Sequence, residues 1–345
     1  MHSDYITGSL ATNAGTVPRI STAWSVNDIL NTIRVRWAIG RMNYKVEPGL
    51  YAVGNPDNDS EVFVTGNFKL SFDHVRKALS GMNAWLLILN TKGINVWCAA
   101  GKGTFGTKEL ISRVEKTDLG KIVTHRRLIV PQLGATGVSA HEVKEQTGFR
   151  VIYGPVRADD ISEFMKQGMK ASREMRSVEF PLWERMKLIP VELSYGRYYV
   201  FLVPAVFILL SGLNRKGYSL DLAFADGLRS VFNLFVAYLA GLAVTPLLLP
   251  WIPFRRFALK GLLVGWIAAL SLYLVHMTGS GRIETVSWFL MIGSLSSFLA
   301  MNFTGSTTYT SLSGVQKEMK TALPLQIGMA ALGVILWIIS KFLTV

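Results

Sequence analysis

A single thiol has the most distinctive chemical setting in this chain. Cys98 is the only cysteine among 345 residues, and it lies in the octapeptide of residues 95–102, Asn-Val-Trp-Cys-Ala-Ala-Gly-Lys. An apolar run at residues 84–89 precedes the octapeptide, and a turn rich in glycine and threonine follows it at residues 103–107. A thiol in such a place can be inert packing, a nucleophile or a metal ligand.

The neighbours of Cys98 favour a ligand role over inert packing. Ala99, Ala100 and Gly101 are small, which lets a large flat ligand approach the backbone, and Trp97 can lie against such a ligand. Lys102 follows four residues after the cysteine, so the two share a face if the stretch is helical. Helix N-terminal amides and a nearby ammonium group both favour the thiolate, the form of cysteine that binds metals.

Two other interpretations of this region remain open. Residues 101–108 resemble the phosphate loop GxxxxGK[ST], but the final pair is reversed to Thr107 and Lys108. A cysteine nucleophile needs a base, and His74, His125 and His141 are present without a spacing that marks a known family.

Composition predicts a soluble domain followed by a membrane domain. Half of the residues (50%) are hydrophobic, mean hydropathy is +0.32, and the apolar excess lies after about residue 198. In a membrane protein, a net charge of +13 is typical of cytoplasmic loops and contact with lipid headgroups. Because the basic residues are scattered, we expect no nucleic-acid partner. One cysteine also excludes an internal disulfide and a four-cysteine iron–sulfur cluster within these residues.

Strand and helix patterns alternate in the first half of the chain. Helical spacing begins at residues 25–41, with Ser25 as the expected N-cap and one apolar face made of Val26, Ile29, Leu30, Ile33 and Trp37. Predicted strands cover residues 61–68, 84–90, 127–130 and 149–153, and predicted helices cover residues 71–81 (capped by Ser71), 107–119, 138–147 and 159–171. The alternation predicts an α/β fold with a Rossmann-like, mostly parallel sheet and helices on both faces. Ligands of such sheets bind beyond the carboxyl ends of the strands, where the octapeptide lies.

Five apolar segments then predict an all-α transmembrane domain. They cover about residues 198–213, 228–249, 257–277, 283–303 and 322–342, and most reach the roughly 20 residues that cross a bilayer. Eight basic residues flank their ends on the side of the N-terminal domain and five flank the other side. This bias predicts an inner (cytoplasmic) membrane protein with a cytoplasmic N-terminal domain and an external C-terminus. Charged residues are missing from the middle of the segments, which favours an anchor over a transport pathway.

These patterns together predict four regions. Residues 1–24, rich in serine, threonine, glycine and asparagine, form a flexible tail, and residues 25–172 form the cytoplasmic α/β domain. Residues 173–197 are a juxtamembrane linker, and residues 198–345 form the five-helix membrane domain. The first residues lack a basic region followed by an apolar core, so we expect no cleavable signal peptide. The hydroxyl-rich inner loop at residues 304–320 is either a solvated connector or a contact for the ligand or a partner.

The octapeptide resembles the signature of a known family. Residues 95–102 match N-(V/I)-W-C-A-(A/S)-G-K, which marks the HgcA family, the membrane-bound corrinoid proteins of microbial mercury methylation. Further similar stretches lie at residues 48–56, 64–69, 92–107 and 128–134, and these also resemble the large subunit of the corrinoid iron–sulfur protein. That soluble relative lacks the five-segment region, so the resemblance to the membrane-bound family covers more of the chain.

The resemblance implies a corrinoid-dependent methyltransferase. Such a protein would pass a cobalt-bound methyl group to inorganic Hg(II), presented as a thiol complex, and release methylmercury. The cofactor would be cobalamin or a related corrinoid in its base-off form, with the Cys98 thiolate as the lower axial ligand of cobalt. The methyl group would come from a methyl-tetrahydrofolate pathway. A ferredoxin-like 4Fe–4S partner would supply the electrons that restore the cobalt.

The same resemblance assigns roles around Cys98, which would be the catalytic residue and the cobalt ligand. The rest of the octapeptide would shape the loop that holds it: Asn95, Val96, Trp97, Ala99, Ala100, Gly101 and Lys102. Contacts with the corrin ring or its tail are expected from Thr65, Asn67, Gly103, Thr104 and Gly106, unless these are ordinary turn and cap residues; Gln132 and Gly134 are weaker candidates. Two alternatives stay open, namely a membrane-anchored methyl carrier for another acceptor and a transporter or sensor with a cytoplasmic nucleotide-binding domain.

Overall fold

The chain folds into two compact units. The computed structural model describes residues 4–279, 281–303 and 312–343. The first unit, Met1–Glu179, contains the octapeptide, and the second unit, Phe180–Val345, contains the apolar segments.

The first unit is built on a seven-stranded sheet. Its strands are β1 (Ile6–Thr12), β2 (Gly15–Ile20), β3 (Gly49–Val53), β4 (Val62–Gly66), β5 (Ala84–Leu89), β6 (Arg127–Val130) and β7 (Arg150–Tyr153). They lie in the order β1-β2-β3-β5-β4-β6-β7, and the four strands from β5 to β7 in this order are parallel. Strand β3 is antiparallel to β5, and β1 and β2 form an antiparallel hairpin at the edge. The mostly parallel, Rossmann-like sheet is therefore confirmed.

Helices cover both faces of this sheet. They are α1 (Val26–Arg36), α2 (Lys69–Ala78), α3 (Val96–Gly101), α4 (Thr107–Lys116), α5 (Leu119–Ile122), α6 (Ala140–Thr147) and α7 (Ile161–Lys166). Every residue of β4 and β5 is buried, as expected for strands with both faces covered. Val64 and Leu87 face the core beneath α3–α6, whereas Phe63 and Leu86 face the core beneath α2 and α7.

The N-terminal stretch departs from the prediction. The flexible tail expected at residues 1–24 is wrong, because residues 6–20 form β1 and β2, and β2 pairs with β3. Strand β3 was not predicted either. The backbone of these short, glycine- and threonine-rich segments is satisfied by pairing with a strand distant in sequence, which a local pattern does not reveal.

Helix caps show one correct and one wrong expectation. Ser25 caps α1 as predicted: its hydroxyl accepts from the Asp28 N–H at 3.1 Å, and Asp28 Oδ2 accepts from the Ser25 N–H at 2.9 Å. This reciprocal pair is a capping box. Ser71 does not cap α2, because that helix begins at Lys69 and Ser71 lies inside its first turn.

The second unit is helical apart from a short hairpin of β8 (Leu213–Asn214) and β9 (Gly217–Tyr218). Its helices are α8 (Leu182–Met186), α9 (Ile189–Tyr195), α10 (Tyr199–Ser211), α11 (Leu220–Leu239), α12 (Thr245–Leu247), α13 (Phe257–Leu274), α14 (Arg282–Asn302) and α15 (Leu312–Leu343), with a π-helical turn between α11 and α12. Among the described residues, four stretches are long and apolar enough to cross a membrane: Leu220–Leu247, Phe257–Leu274, Arg282–Asn302 and Gly314–Leu343.

The first of the five predicted membrane spans is shorter than expected. Within residues 198–213, the helix α10 has 13 residues. It is long enough to cross a membrane only together with α8 and α9, and the chain bends by 56° between them and α10. Those two helices occupy the stretch predicted as a linker at residues 173–197. Of the predicted inner loop at residues 304–320, residues 304–311 lie outside the described residues, and the remainder begins α15.

Small residues let α13 and α14 pack closely. A Cβ at Gly261 would lie 2.6 Å from the Ser296 carbonyl oxygen, and one at Gly265 would lie 2.8 Å from Ser296 Cβ. The Ser296 hydroxyl donates to the Gly261 carbonyl at 2.7 Å. Glycines four residues apart with a hydroxyl across the interface are typical of helix pairs in membranes.

Four charged side chains meet where α11, α14 and α15 come together. Arg229 Nη2 lies 2.7 Å from Glu284 Oε1 and 3.2 Å from Asp226 Oδ1. Lys341 Nζ lies 3.0 Å from Asp226 Oδ2 and 3.5 Å from Glu284 Oε1. Two carboxylates therefore balance two cations. Glu284 and Lys341 are buried near the start of α14 and the end of α15.

Candidate functional site

Cys98 lies on α3, a short helix that directly follows the loop after β5. Asn95 is the N-cap of this helix, and its Oδ1 accepts a hydrogen bond of 2.9 Å from the Cys98 backbone N–H. The Cys98 thiol is exposed and forms no disulfide. The cap thus determines where α3 begins and holds the thiol at the surface of its first turn.

The opposite side of α3 is anchored in the core. Ala99 and Ala100 are buried against the sheet, and Val96 is buried with them. Gly101 faces open space, since a Cβ there would meet no atom within 4 Å. A large group can therefore approach Cys98 along the exposed side of α3 without touching a side chain at Gly101.

Asn67 determines the path of the loop that leads into α3. Its Oδ1 accepts hydrogen bonds from the Thr91 N–H, the Thr91 hydroxyl and the Gly93 N–H, each at 3.0 Å, and its Nδ2 donates to the Val46 carbonyl at 3.3 Å. The side chain is buried, so these bonds are made away from water. Asn67 was a candidate for direct cofactor contact, but its Oδ1 is bonded to this loop and its Nδ2 to the Val46 carbonyl.

A pocket of about 300 Å³ lies at the carboxyl ends of the parallel strands, beside α3. Strand β4 connects through α2 on one face of the sheet, whereas its neighbour β6 connects through α6 on the other face. Ligands bind at such a switch point in open α/β sheets. The pocket is lined by Thr65 of β4 and by Ser71, His74 and Val75 of α2. The start of α3 contributes its N-cap Asn95 together with Val96 and Trp97. The segments after β6 and β7 contribute Pro131, Leu133, Gly154, Pro155, Val156, Arg157 and Ala158.

The glycines after α3 serve close packing. A Cβ at Gly134 would lie 2.3 Å from the Phe105 ring, and one at Gly137 would lie 2.2 Å from the Phe105 carbonyl oxygen. The N–H of Thr107, at the start of α4, donates to the Gly137 carbonyl at 3.1 Å, and its hydroxyl accepts from the Ser139 N–H at 2.8 Å. The turn before α4 is therefore covered by protein, which is unlike a phosphate loop with free amides.

Replacing Gly137 with alanine should displace α3. The new Cβ would also lie 3.1 Å from Ala100 Cα, so backbone on two sides must move. We expect a loss of about 1–3 kcal/mol in the free energy of unfolding of the first unit, the usual range for overpacking. Hydrogen exchange of the α3 amides measures it. Gly49→Ala is the matched control, because a Cβ at Gly49 meets nothing within 4 Å. Equal exchange in the two variants would contradict the packing role.

The expected site residues divide into three groups. Cys98, Gly101, Lys102 and Gly103 are exposed together. Thr65 and residues 95–97 line the pocket, and Trp97 is 42% exposed at its rim. Asn67, Thr104 and Gly106 do not line the pocket. The N–H and the hydroxyl of Thr104 both donate to the Ala99 carbonyl.

Sequence reasoning missed the far wall of the pocket. Ser71, His74 and Val75 come from α2, and Gly154 and Pro155 follow β7. The signal that identifies the latter pair is their position, immediately after the carboxyl end of a parallel strand. Gln132, a weaker candidate, lies between two lining residues, and its buried Oε1 has no hydrogen-bond partner in the part of the chain that the structure describes.

The protein supplies few metal ligands at any one place. Within residues 4–279, 281–303 and 312–343, no three His, Cys, Asp or Glu side chains cluster as a metal site would require. His125 Nε2 is 2.9 Å from the Ser60 carbonyl and therefore has a structural partner. A metal at Cys98 would thus take one protein ligand and its remaining ligands from a cofactor.

Comparison with known proteins shows what the first unit is similar to. Residues 22–165 match the family model described as CdhD, CO dehydrogenase/acetyl-CoA synthase delta subunit. The acetyl-CoA decarbonylase/synthase complex subunit gamma of Archaeoglobus fulgidus is 33% identical over 144 residues, which are 40% of this chain and 30% of that protein. Subunit gamma 2 of Methanosarcina thermophila is 37% identical over 115 residues, 32% of this chain and 24% of that protein.

A third relative carries the name anticipated from the sequence. The corrinoid/iron–sulfur protein large subunit of Moorella thermoacetica is 31% identical over 127 residues, 36% of this chain and 28% of that protein. The chain thus spans about a third or less of the length of these relatives, and the family match ends before the helical unit. The resemblance to the corrinoid iron–sulfur protein large subunit is confirmed. Residues 22–165 of this chain are therefore similar to the CdhD family model and to the large subunit of a corrinoid/iron–sulfur protein.

Proposed function

We propose that this chain is a membrane-bound, corrinoid-dependent methyltransferase that converts Hg(II) to methylmercury, with the Cys98 thiolate as the lower axial ligand of cobalt. The observation that carries the proposal is an exposed thiol on a capped helix at the ligand-binding end of a CdhD-family sheet. The octapeptide around it has the pattern of the mercury-methylating family.

The residues present fit a base-off corrinoid. The open side of α3 at Cys98 and Gly101 accommodates a broad planar ring, because no side chain projects at residue 101. The pocket beside α3 measures about 300 Å³, at the lower limit of ligand pockets, so it suits one arm of a large cofactor such as a displaced base. The orphaned Gln132 Oε1 at its edge is an acceptor available to an amide of that arm.

Each neighbour of Cys98 has a task that follows from its position. Asn95 fixes the start of α3, and the buried Ala99 and Ala100 keep the helix close to the sheet. Trp97 lies at the rim of the pocket, where its ring can lie against a bound ligand. Lys102 places an ammonium group at the exposed C-terminal end of α3.

A bound corrinoid supplies a cobalt centre that carries a methyl group and releases it to an acceptor. Cys98 would hold the cobalt of that group through its thiolate, whose strong donation would suit delivery of the methyl as a carbanion equivalent. Hg(II), held as a thiol complex, is a soft electrophile that accepts such a group. The methyl-tetrahydrofolate pathway is the proposed source of the methyl group.

The proposed reaction also needs an electron donor, and the protein needs a location in the cell. With one cysteine in 345 residues, this chain offers no four-cysteine cluster, so we assign electron delivery to a ferredoxin-like 4Fe–4S partner. The four apolar helices support a multi-pass membrane protein, and the distribution of basic residues supports an inner-membrane location with the first unit in the cytoplasm.

A spectrum and an assay test the proposal. Full-length protein in detergent, incubated with cobalamin, should retain a coloured cofactor whose absorption is shifted to that of a base-off form. Methylmercury should form when Hg(II), a methyl donor and the reduced partner are added. Methyl transfer to another acceptor without methylmercury would support the alternative of a general methyl carrier. Colourless protein that binds ATP instead would refute both and favour the nucleotide-binding transporter or sensor.

A further inference from the structure

Helix α1 turns its apolar face outward. The five side chains Val26, Ile29, Leu30, Ile33 and Trp37 are each at least 47% exposed. At about 100° per residue they fall within one arc of about 100° along the helix. An uninterrupted apolar stripe of this kind is normally buried in a soluble domain. We refer to these five residues as the α1 face.

Buried charges hold α1 in this orientation. Asp28 and Val35, on the opposite side of the helix, are the buried residues of α1. Asp28 Oδ1 lies 2.7 Å from Lys69 Nζ, and Asp28 Oδ2 lies 2.7 Å from Arg76 Nη2. Rotating α1 to bury its apolar face would break both ion pairs, so outward exposure is the stable arrangement.

Basic residues border the α1 face on both sides. Arg34 and Arg36 lie about 80° to either side of the centre of the apolar arc at 100° per residue. The exposed Ile39 and Met42 continue the apolar surface, and Lys45 adds a further exposed cation. Between residues 26 and 45 the only acidic residue is Asp28, which is buried. Within residues 26–45 the exposed charged side chains are therefore all cations, and the carboxylate bonded beside them is that of Asp4, whose Oδ2 accepts from Asn27 Nδ2 at 3.2 Å.

We propose that the α1 face binds the interfacial region of a lipid bilayer that contains anionic headgroups. An apolar helical face with tryptophan, leucine and isoleucine between flanking arginines is the pattern of helices that lie in the membrane interface. The flanking cations complement anionic headgroups. The chain also carries four helices suited to crossing a membrane, so a lipid surface is always within its reach.

This surface adjoins the segment that leads to Cys98. A Cβ built at Gly93 would lie 3.5 Å from the Met42 carbonyl oxygen and 3.5 Å from Lys45 Cβ. Gly93 belongs to the loop between β5 and α3. Lipid contact at the α1 face would therefore bring the carboxyl end of β5, from which the chain leads to Cys98, close to the membrane surface. The inference goes beyond the proposed function and does not depend on which ligand Cys98 binds.

A spin label at the α1 face tests this directly. In the full-length Cys98→Ala chain, Ile33→Cys carries a nitroxide, and the chain is placed in nanodiscs of phosphatidylcholine with or without phosphatidylglycerol. The ratio of oxygen accessibility to nickel-chelate accessibility should be several-fold higher at position 33 than in the matched control Glu145→Cys, on the exposed side of α6. The ratio should rise further with phosphatidylglycerol, and Arg34→Gln with Arg36→Gln should remove that increase.

Three results would overturn the proposal. The first is equal accessibility at positions 33 and 145, which would mean that the α1 face lies in water. The second is dipolar coupling between labels of two chains with low access for both reagents, which would assign the face to a second copy. The third is protection of position 33 that develops only when a protein partner is added.

Discussion

Replacement of Cys98 with alanine should lower methylmercury formation by about 100-fold or more, since losing even a supporting neighbour of a metal ligand typically costs about 10- to 100-fold. The variant should still fold. The thiol is exposed, and the bond that caps α3 involves the backbone N–H of residue 98, which alanine retains. The absorption spectrum of bound cobalamin should change together with the rate, because the same atom is proposed to donate to cobalt.

Three comparisons make this result specific. Lys116→Ala, on the exposed side of α4, should leave both spectrum and rate unchanged. Cys98→His should retain some cofactor but lose most turnover, because imidazole is a weaker donor than thiolate. An alanine variant with the parent spectrum and rate would show that Cys98 does not ligate cobalt, and full turnover by the histidine variant would show that thiolate donation is dispensable.

Replacement of Arg76 with methionine should destabilise the first unit by about 3–5 kcal/mol, the cost of removing one partner from a buried ion network. Arg76 is fully buried and donates to Asp73 at 2.7 Å, to Asp28 at 2.7 Å and to the backbone carbonyls of Ser21 and Ala23. Without the guanidinium, the carboxylates of Asp28 and Asp73 share the single cation of Lys69. Hydrogen exchange of the β4 and β5 amides measures the loss in the full chain.

The dependence of stability on acidic pH distinguishes a contribution from the Arg76 ion network from one made by side-chain packing alone. Burial raises the pKa of Asp28, but hydrogen bonds from Lys69 and Ser25 and the charges of Lys69 and Arg76 outweigh it and hold the pKa well below its ordinary value. A carboxyl with a lowered folded pKa stabilises the fold above its unfolded pKa of about 3.9 and loses that contribution as pH falls further. Protection of the β4 and β5 amides from hydrogen exchange should therefore decrease below about pH 4 in the parent protein, and this decrease should be smaller in Arg76→Met.

The control for Arg76 is an exposed arginine. Arg150→Met, at the first residue of β7, should change the unfolding free energy by less than about 0.5 kcal/mol. Equal stability of the two variants would show that the network contributes little.

The central sheet was predictable because its signals are local. Strands β4 to β7 are short apolar runs separated by turn residues and amphipathic helices, and their pattern alone indicates the alternation. Strands β1 to β3 lacked such a signal. β1 and β2 are rich in glycine, serine and threonine and β3 has only five residues, so they become strands through pairings such as Ile20 with Val53, between residues far apart in the chain.

The site was predictable in its centre and unpredictable at its edges. Cys98 and the small residues after it are contiguous, so their pattern is visible in one stretch. The pocket wall from His74 and Gly154 is assembled only by the fold. Spacing correctly grouped the apolar residues of α1 on one face, but the face lies outward because buried partners of Asp28 determine the rotation of the helix.

The charge cluster in the helical unit has a consequence for the order of synthesis. Lys341 lies in the last turn of α15, so Asp226 and Glu284 are translated well before it. Until the lysine emerges, two carboxylates face the single guanidinium of Arg229, and one negative charge is unbalanced. The earlier helices can enter the bilayer one by one, but their charged ends pair completely only after α15 has been made. The charge balance of this cluster thus depends on the helix that is synthesised last among α11, α14 and α15.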